Sequence, residues 1–254
     1  MSGTIDIETE SVDRTDASDD SNFANTDRRL LGALVERGFR PECIFDIGAS
    51  NGAWTRAVAD LFPDSRVELF EPLSDHVSLY AGPMEQLLAS NGRFRLHRAA
   101  VGEEPGTCEI KLFPNAVGST TLTLPYELPG VRAITVEQHS IDDLVQNCNI
   151  PIPQLIKMDI QGGELAALRG GARTLPFVDA LLLETWLTRE YWSTTPLLSE
   201  LIDFLRRYGF FLADFGDGYR REDGVLVSKD CLFLNAANPL SPLHPLQPVS
   251  EGRS

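Results

Sequence analysis

Positive charge is scarce in this chain: 22 Lys and Arg stand against 37 Asp and Glu, a formal net charge of −15 over 254 residues. No stretch concentrates the basic residues, and affinity for a phosphate backbone comes chiefly from them, so nucleic acid is not an expected partner. Long apolar runs are missing too. None approaches the roughly 18 residues a membrane span needs, and the N-terminus has neither the basic start nor the apolar core of a secretory signal. The expectation is a cytoplasmic protein without a membrane span. Cysteines are few and scattered, at Cys43, Cys108, Cys148 and Cys231 with no C-x-x-C spacing, which argues against a zinc ribbon or a redox pair. They read as four reduced, mostly buried thiols. No His, Cys and acid cluster has metal-ligand spacing, so no metal is expected, although a divalent ion between Asp159 and Glu184 stays open.

The first 27 residues are poor in large apolar groups but hold eight carboxylates (Asp6, Glu8, Glu10, Asp13, Asp16, Asp19, Asp20 and Asp27) against Arg14 alone. Such a composition cannot offset the entropy lost on ordering. Residues 1–24 are therefore expected as a disordered acidic tail, 25–238 as a single α/β domain with a sizeable core, and 239–254 as a loose Pro-rich tail.

What the chain does have is a set of short, mostly apolar strands, each leading into a helix. The first, Ile44-Phe45-Asp46-Ile47, runs into Gly48-Ala49-Ser50-Asn51-Gly52 and then a helix with Trp54, Ala57, Val58 and Leu61 at helical spacing, stopped by Pro63. Glycines at both ends of such a turn let a ligand lie directly on the backbone. The spacing Asp-x-Gly-x-x-x-Gly differs from the G-x-G-x-x-G turn that receives a pyrophosphate. A carboxylate at this strand end would repel phosphate and favour a cation. S-adenosylmethionine, with an ammonium and a sulfonium and no phosphate, suits Asp46 and the bare backbone better than NAD does. About twenty residues on, Val67-Glu68-Leu69-Phe70-Glu71-Pro72 ends a second strand in an acid, where nucleotide-binding α/β folds accept ribose hydroxyls.

Further along, a helix is expected from Asn25 or Thr26 through Val35, another after a cap at Ser74 with a break at Gly82-Pro83, and a third strand at 93–98 leading to Ala99-Ala100-Val101-Gly102. Residues 107–138 alternate apolar and polar groups around the hydroxyl-rich Gly118-Ser119-Thr120-Thr121, flanked by Pro114 and Pro125, and read as a small β insertion. Ser140 or Asp142 opens a short helix. Then come a buried strand to Asp159, a helix from Glu164 to Gly170-Gly171, a strand 180–184 ending in Glu184, a helix 197–205 and two closing strands at 209–213 and 231–234. This alternation means a mostly parallel sheet with helices on both faces. Asp46, Glu71, Asp159 and Glu184 all fall at strand ends, on the edge where such sheets bind ligands. For Asp159 and Glu184 the plainer alternative is helix-end stabilisation. For Glu164 that role and a site role weigh equally.

In order along the chain, IFDIGASNG, Phe70-Glu71-Pro72, Ala100-Val101-Gly102, Gly118-Ser119-Thr120 and Leu155-Ile156-Lys157-Met158-Asp159-Ile160-Gln161-Gly162-Gly163-Glu164 resemble the FkbM-type S-adenosylmethionine-dependent methyltransferases, over about residues 42–235. The resemblance implies a Rossmann-like class I methyltransferase fold, with a seven-stranded sheet whose last strand is antiparallel. It also implies O-methylation of a hydroxyl on a sugar, glycan or natural product, a small-molecule acceptor. Asp46, Gly48, Ala49, Ser50, Asn51, Gly52, Glu71, Pro72, Ala100, Val101 and Asp159 are the expected cofactor-binding residues. Asp159, Glu184 and Glu164 are the expected catalytic ones, Asp159 first as base, Glu184 second and His139 a distant third. At the third strand, His97-Arg98 replaces the Asp that many methyltransferases use for adenine, and Thr185-Trp186 replaces a His common after the fifth-strand acid. The rival reading is a non-catalytic adenosyl-binding or scaffold protein of the same fold. The sequence leaves the acceptor and the oligomeric state open.

Overall fold

The computed structural model describes residues 17–237, apart from 115, 117, 125–127 and 190–193. The acidic stretch 1–16, the Pro-rich end from Pro239 and Pro125 lie outside the described residues.

Strands β1 (Cys43–Ile47), β2 (Arg66–Phe70) and β3 (Phe94–His97) are laid down from the centre of a sheet outward. The chain then crosses to the other side of β1. A small second sheet forms on the way from β4 (Ala100–Val101), β5 (Gly106–Leu112) and β6 (Arg132–His139), in the order β4-β6-β5. Strands β7 (Leu155–Met158), β8 (Ala180–Trp186), β9 (Phe210–Phe215) and β10 (Ser228–Asn235) complete the main sheet, whose order is β3-β2-β1-β7-β8-β10-β9. All its pairings are parallel except those of β10, which runs antiparallel to both β8 and β9. The seven-stranded sheet and its reversed last strand match the expectation, and the β5–β6 hairpin is the expected insertion.

Strands buried on both faces need cover on both faces. On one side α1 (Ala17–Glu36) and α2 (Ala53–Val58) bring Leu30, Leu31, Leu34, Trp54 and Val58 against Ile44, Leu69 and Leu182. On the other, α4 (Ile141–Gln146), α5 (Glu164–Arg169) and α6 (Leu198–Leu205) bring Leu144, Leu168, Leu201 and Leu205 against Phe45, Ile156 and Leu183. Burying one such side chain stabilises the fold by about 1.5–3 kcal/mol. No helix among the described residues is long and apolar enough to cross a membrane.

Several boundaries differ from the expected ones, the closing strands among them (Phe210–Phe215 and Ser228–Asn235), and in the following cases a tertiary contact takes over a local one. Helix α1 begins at Ala17, inside the stretch expected as tail. The candidate cap Thr26 lies within it and donates its hydroxyl to Asp217 Oδ2 at 2.6 Å. Helix α2 stops at Val58, four residues short of Phe62. Arg93 takes up the following carbonyls, donating to those of Ala59, Phe62 and Ser65 at 2.7–2.8 Å. Helix α3 (Ser78–Ser90) starts after Val77, because the chain past Glu71 first turns inward to bury Leu73, and Ser74 is buried in that turn without capping anything. Nor is α3 broken at Pro83. Proline removes one N–H from a helix, and the carbonyl left over belongs to the exposed Leu79, where water can serve it. Strand β8 continues past Glu184 to Trp186, because β10 pairs with it as far as Ser228. Of the two candidate caps for α4, Ser140 is the one used, accepting from Asp143 N–H at 3.1 Å.

Candidate active site

Strand order reverses between β1 and β7, and open α/β sheets bind ligands at that point, outside the carboxyl ends of the strands. A cleft of about 600 Å³ opens there. Gly48 sets its back wall. It has φ +77°, and a Cβ placed on it would lie 2.0 Å from the carbonyl oxygen of Asp159. Only glycine lets the ends of β1 and β7 approach so closely. The N–H groups of Gly48 and Ala49 bond to the Phe70 carbonyl at 3.0 and 3.1 Å, holding the loop over β2.

Glu71 follows at the end of β2, one face of it in the cleft. Its two carboxylate oxygens accept from Ser50 N–H and Leu73 N–H, both at 2.8 Å. Burial pushes its pKa up, and those two N–H bonds oppose the shift without cancelling it. Ala49, Ser50, Asn51, Pro72, Ala100 and Val101 also line the cleft, with Leu73, Leu79, Tyr80 and Ala99 forming an apolar slot beside them.

Asp46 and Gly52 do not line the cleft. Asp46 is wholly buried beneath the loop, where it accepts from Thr55 Oγ1 at 2.6 Å and its Oδ1 lies 3.6 Å from Lys157 Nζ. Strand pairing sets this up, since Asp46 and Lys157 are register partners in β1 and β7. Lys157 Nζ also donates to the Gly48 carbonyl at 3.1 Å. Burial disfavours its charge, but Asp46, Asp159, Asp27 and Asp230 outweigh that and raise its pKa. Gly52, with φ +80°, starts α2, and a Cβ there would meet Leu87 Cδ2 at 2.6 Å.

Carboxylates form the cleft floor. Asp159 closes β7, and Glu184 projects from within β8. Gln161 joins them, its Nε2 donating to Asp159 Oδ1 and Glu184 Oε2 at 2.8 Å each. Asp230, the register partner of Glu184 across β10, and Asp27 from α1 complete the set. Asp27 accepts from Trp54 Nε1 at 3.1 Å through Oδ2, while its buried Oδ1 has no hydrogen-bond partner. Burial lifts Asp27 to about 7, with Lys157 and Trp54 pulling the other way. Asp230 is raised well above its ordinary value by burial and then by Asp27 and Asp159. Over the floor lies the insertion, with Gly118, Ser119, Thr120 and Thr121 on the wall and Thr120 Oγ1 donating to the Gln161 carbonyl at 2.7 Å.

Glu164 stands outside the cleft wall. It is buried, accepts from Ile160 N–H at 2.9 Å, and is pushed to about 7 by burial against that bond. It therefore ties down the loop that carries Asp159 and Gln161. His139 is not on the cleft wall either. Residue patterns alone did not single out Asp27, Lys157, Asp230 or Trp54 for the cleft. A signal existed for two of them: Lys157 is the one charged residue in the otherwise apolar Leu155-Ile156-Lys157-Met158, and Asp27 shares the helical spacing of Leu30, Leu31 and Leu34.

A sheet that reverses order at β1/β7, ends in an antiparallel strand and opens its cleft at the reversal has the Rossmann-like architecture of class I methyltransferases. The crystal structure of methyltransferase FkbM from Methylobacillus flagellatus KT shares it, with a TM-score of 0.50 and 19% identity over 76% of this chain and 43% of that one. Residues 46–212 match the family model described as the Methyltransferase FkbM domain, and the chain belongs to that methyltransferase family. Hexuronic acid methyltransferase AglP from Haloferax volcanii is 32% identical over 176 residues, 67% of each chain. Methyltransferase 1 from Beauveria bassiana is 23% identical over 145 residues, 50% of this chain and 57% of that protein.

Proposed function

We propose that this protein transfers a methyl group from S-adenosylmethionine to a hydroxyl of a sugar, glycan or natural product. The observation that carries this reading is the cleft at the strand-order reversal, walled by Gly48, where a Cβ would strike the Asp159 carbonyl, and by the buried Glu71 at the end of β2. Those residues fit the cofactor. Glu71 suits ribose hydroxyls, the bare backbone at Gly48 suits the aminoacyl end, and the apolar slot of Leu73, Leu79, Tyr80 and Ala99 suits a flat base.

S-adenosylmethionine, when bound, supplies an electrophilic methyl group. What the chain must add is alignment of the acceptor oxygen and a place for its proton. Asp159 is the first candidate to receive that proton, and Glu184, bridged to it by Gln161, is the second. Asp46 and Lys157 hold the loop, and Glu164 holds the segment between Asp159 and α5. The name of the AglP relative makes hexuronic-acid glycans the first acceptors to try. The test is a mass-spectrometric screen of glycans and secondary metabolites incubated with protein and S-adenosylmethionine. A gain of one methyl group on a hydroxyl supports the reading, and methyl transfer only to amines or carbons would replace it.

A further inference from the structure

Away from the cleft, where β6 passes into α4 and the turn leading to β7, three side chains of different chemistry converge. His139 Nδ1 lies 2.6 Å from Asp143 Oδ2. Cys148 Sγ lies 4.0 Å from that nitrogen and 3.9 Å from that oxygen. Imidazole, carboxylate and thiol thus each turn one donor atom toward a common point, at positions i, i+4 and i+9. The remaining donor atoms are held from outside. Glu137 Oε1 lies 3.1 Å from His139 Nε2, placed to accept the ring proton there when Nδ1 gives its lone pair to an ion. Asn147 Nδ2 donates to Asp143 Oδ1 at 2.7 Å, leaving Oδ2 for the common point. Partners of this kind, one on the far ring nitrogen and one on the far carboxylate oxygen, are what orient the ligands of metal sites.

We propose that His139, Asp143 and Cys148 bind a zinc ion, with water as the fourth ligand. Zinc takes nitrogen, sulfur and oxygen together in tetrahedral sites, and a thiolate with an imidazole favours it over magnesium or calcium. The thiol proton leaves on binding, and thiolate and carboxylate together balance the dication. With bonds of about 2.0 Å to nitrogen and oxygen and about 2.3 Å to sulfur, tetrahedral ligand atoms stand roughly 3.3–3.7 Å apart. The site needs the imidazole and carboxylate to part by about half an ångström or a little more, and the sulfur to close by a few tenths. Both are side-chain movements. Cys148 is exposed, so an ion can reach it from solvent. The bound ion would clip the end of β6 to the turn after α4, and so brace the hairpin beside the cleft. No residue of the cleft wall takes part, so the proposal stands or falls independently of the methyl-transfer reading.

The test is titration of the metal-free, untagged full chain with Co(II), followed by displacement with Zn(II). The expected result is a thiolate-to-cobalt charge-transfer band at one ion per chain, absent in Cys148→Ser and lost on adding zinc. Glu137→Gln and Asn147→Ala should keep the band and weaken zinc binding about 10–100-fold, the usual effect of removing an orienting partner. Circular dichroism of the metal-free variants separates loss of the site from loss of the fold. Absence of the band in the folded wild-type chain, its survival in Cys148→Ser, or equal zinc affinity in wild type and His139→Ala would each overturn the proposal.

Discussion

Asp46, Glu71, Asp159 and Glu184 are chemically alike, and what surrounds each one separates their roles. Asp46 lies under the loop against Thr55 and Lys157, Glu71 is pinned by two backbone N–H groups, and Asp159 and Glu184 face the cleft through a shared glutamine. If Asp159 receives the acceptor proton, Asp159→Asn keeps its shape and should lower single-turnover methyl transfer by about 10²–10⁴-fold, with little change in cofactor affinity. Near-wild-type transfer would exclude it as base, and Glu184 would be tested next. Glu164 and Asp27 make a separate claim, on stability. Both have folded-state pKa values of about 7, above their ordinary 4.5 and 3.8. The folded state therefore holds protons that the unfolded state has given up. Stability from these groups is fully present below about pH 4 and is lost as pH rises to about 7. Urea unfolding should show Glu164→Gln losing less stability than wild type between about pH 4.5 and 7. Parallel profiles would show that Glu164 does not carry the shift.

Elements explain which parts of this site could be read from residue patterns. The β1 loop, the end of β2 and the segment from β7 into α5 each keep their cleft-lining residues within one short stretch, so motif and strand pattern locate them together. Asp27 and Asp230 reach the cleft only because α1 docks on α2 and β10 inserts between β8 and β9. Composition groups Asp27 with an acidic tail, and no local pattern marks Asp230. The same applies to boundaries: α2 ends where Arg93, more than thirty residues away, claims its carbonyls. Helix α1 is thus part of the fold, with Leu30, Leu31 and Leu34 at 2%, 0% and 4% exposure. At about 1.5–3 kcal/mol for each buried leucine, removing residues 1–36 should unfold the chain at ambient temperature. Removing 1–16 should leave the melting temperature nearly unchanged. Calorimetry of the two truncations checks this, and a folded product from the longer deletion would contradict it.

For the whole molecule, the charge of −15 and the order of strands make different statements. The charge disfavours phosphate-bearing partners. The reversal of strand order between β1 and β7 marks where a ligand can sit, and in the proposed function Gly48 and Glu71 select an adenosyl ligand. The most direct measurement is calorimetric titration of S-adenosylmethionine and its demethylated product into wild type and Glu71→Ala, with NAD as control. Both adenosyl compounds should bind the wild type. The variant should bind them more weakly by about 1–3 kcal/mol, the cost of leaving hydroxyls without a charged acceptor, and NAD should not bind. Binding of NAD but of neither adenosyl compound, or equal affinity in wild type and Glu71→Ala, would contradict the account.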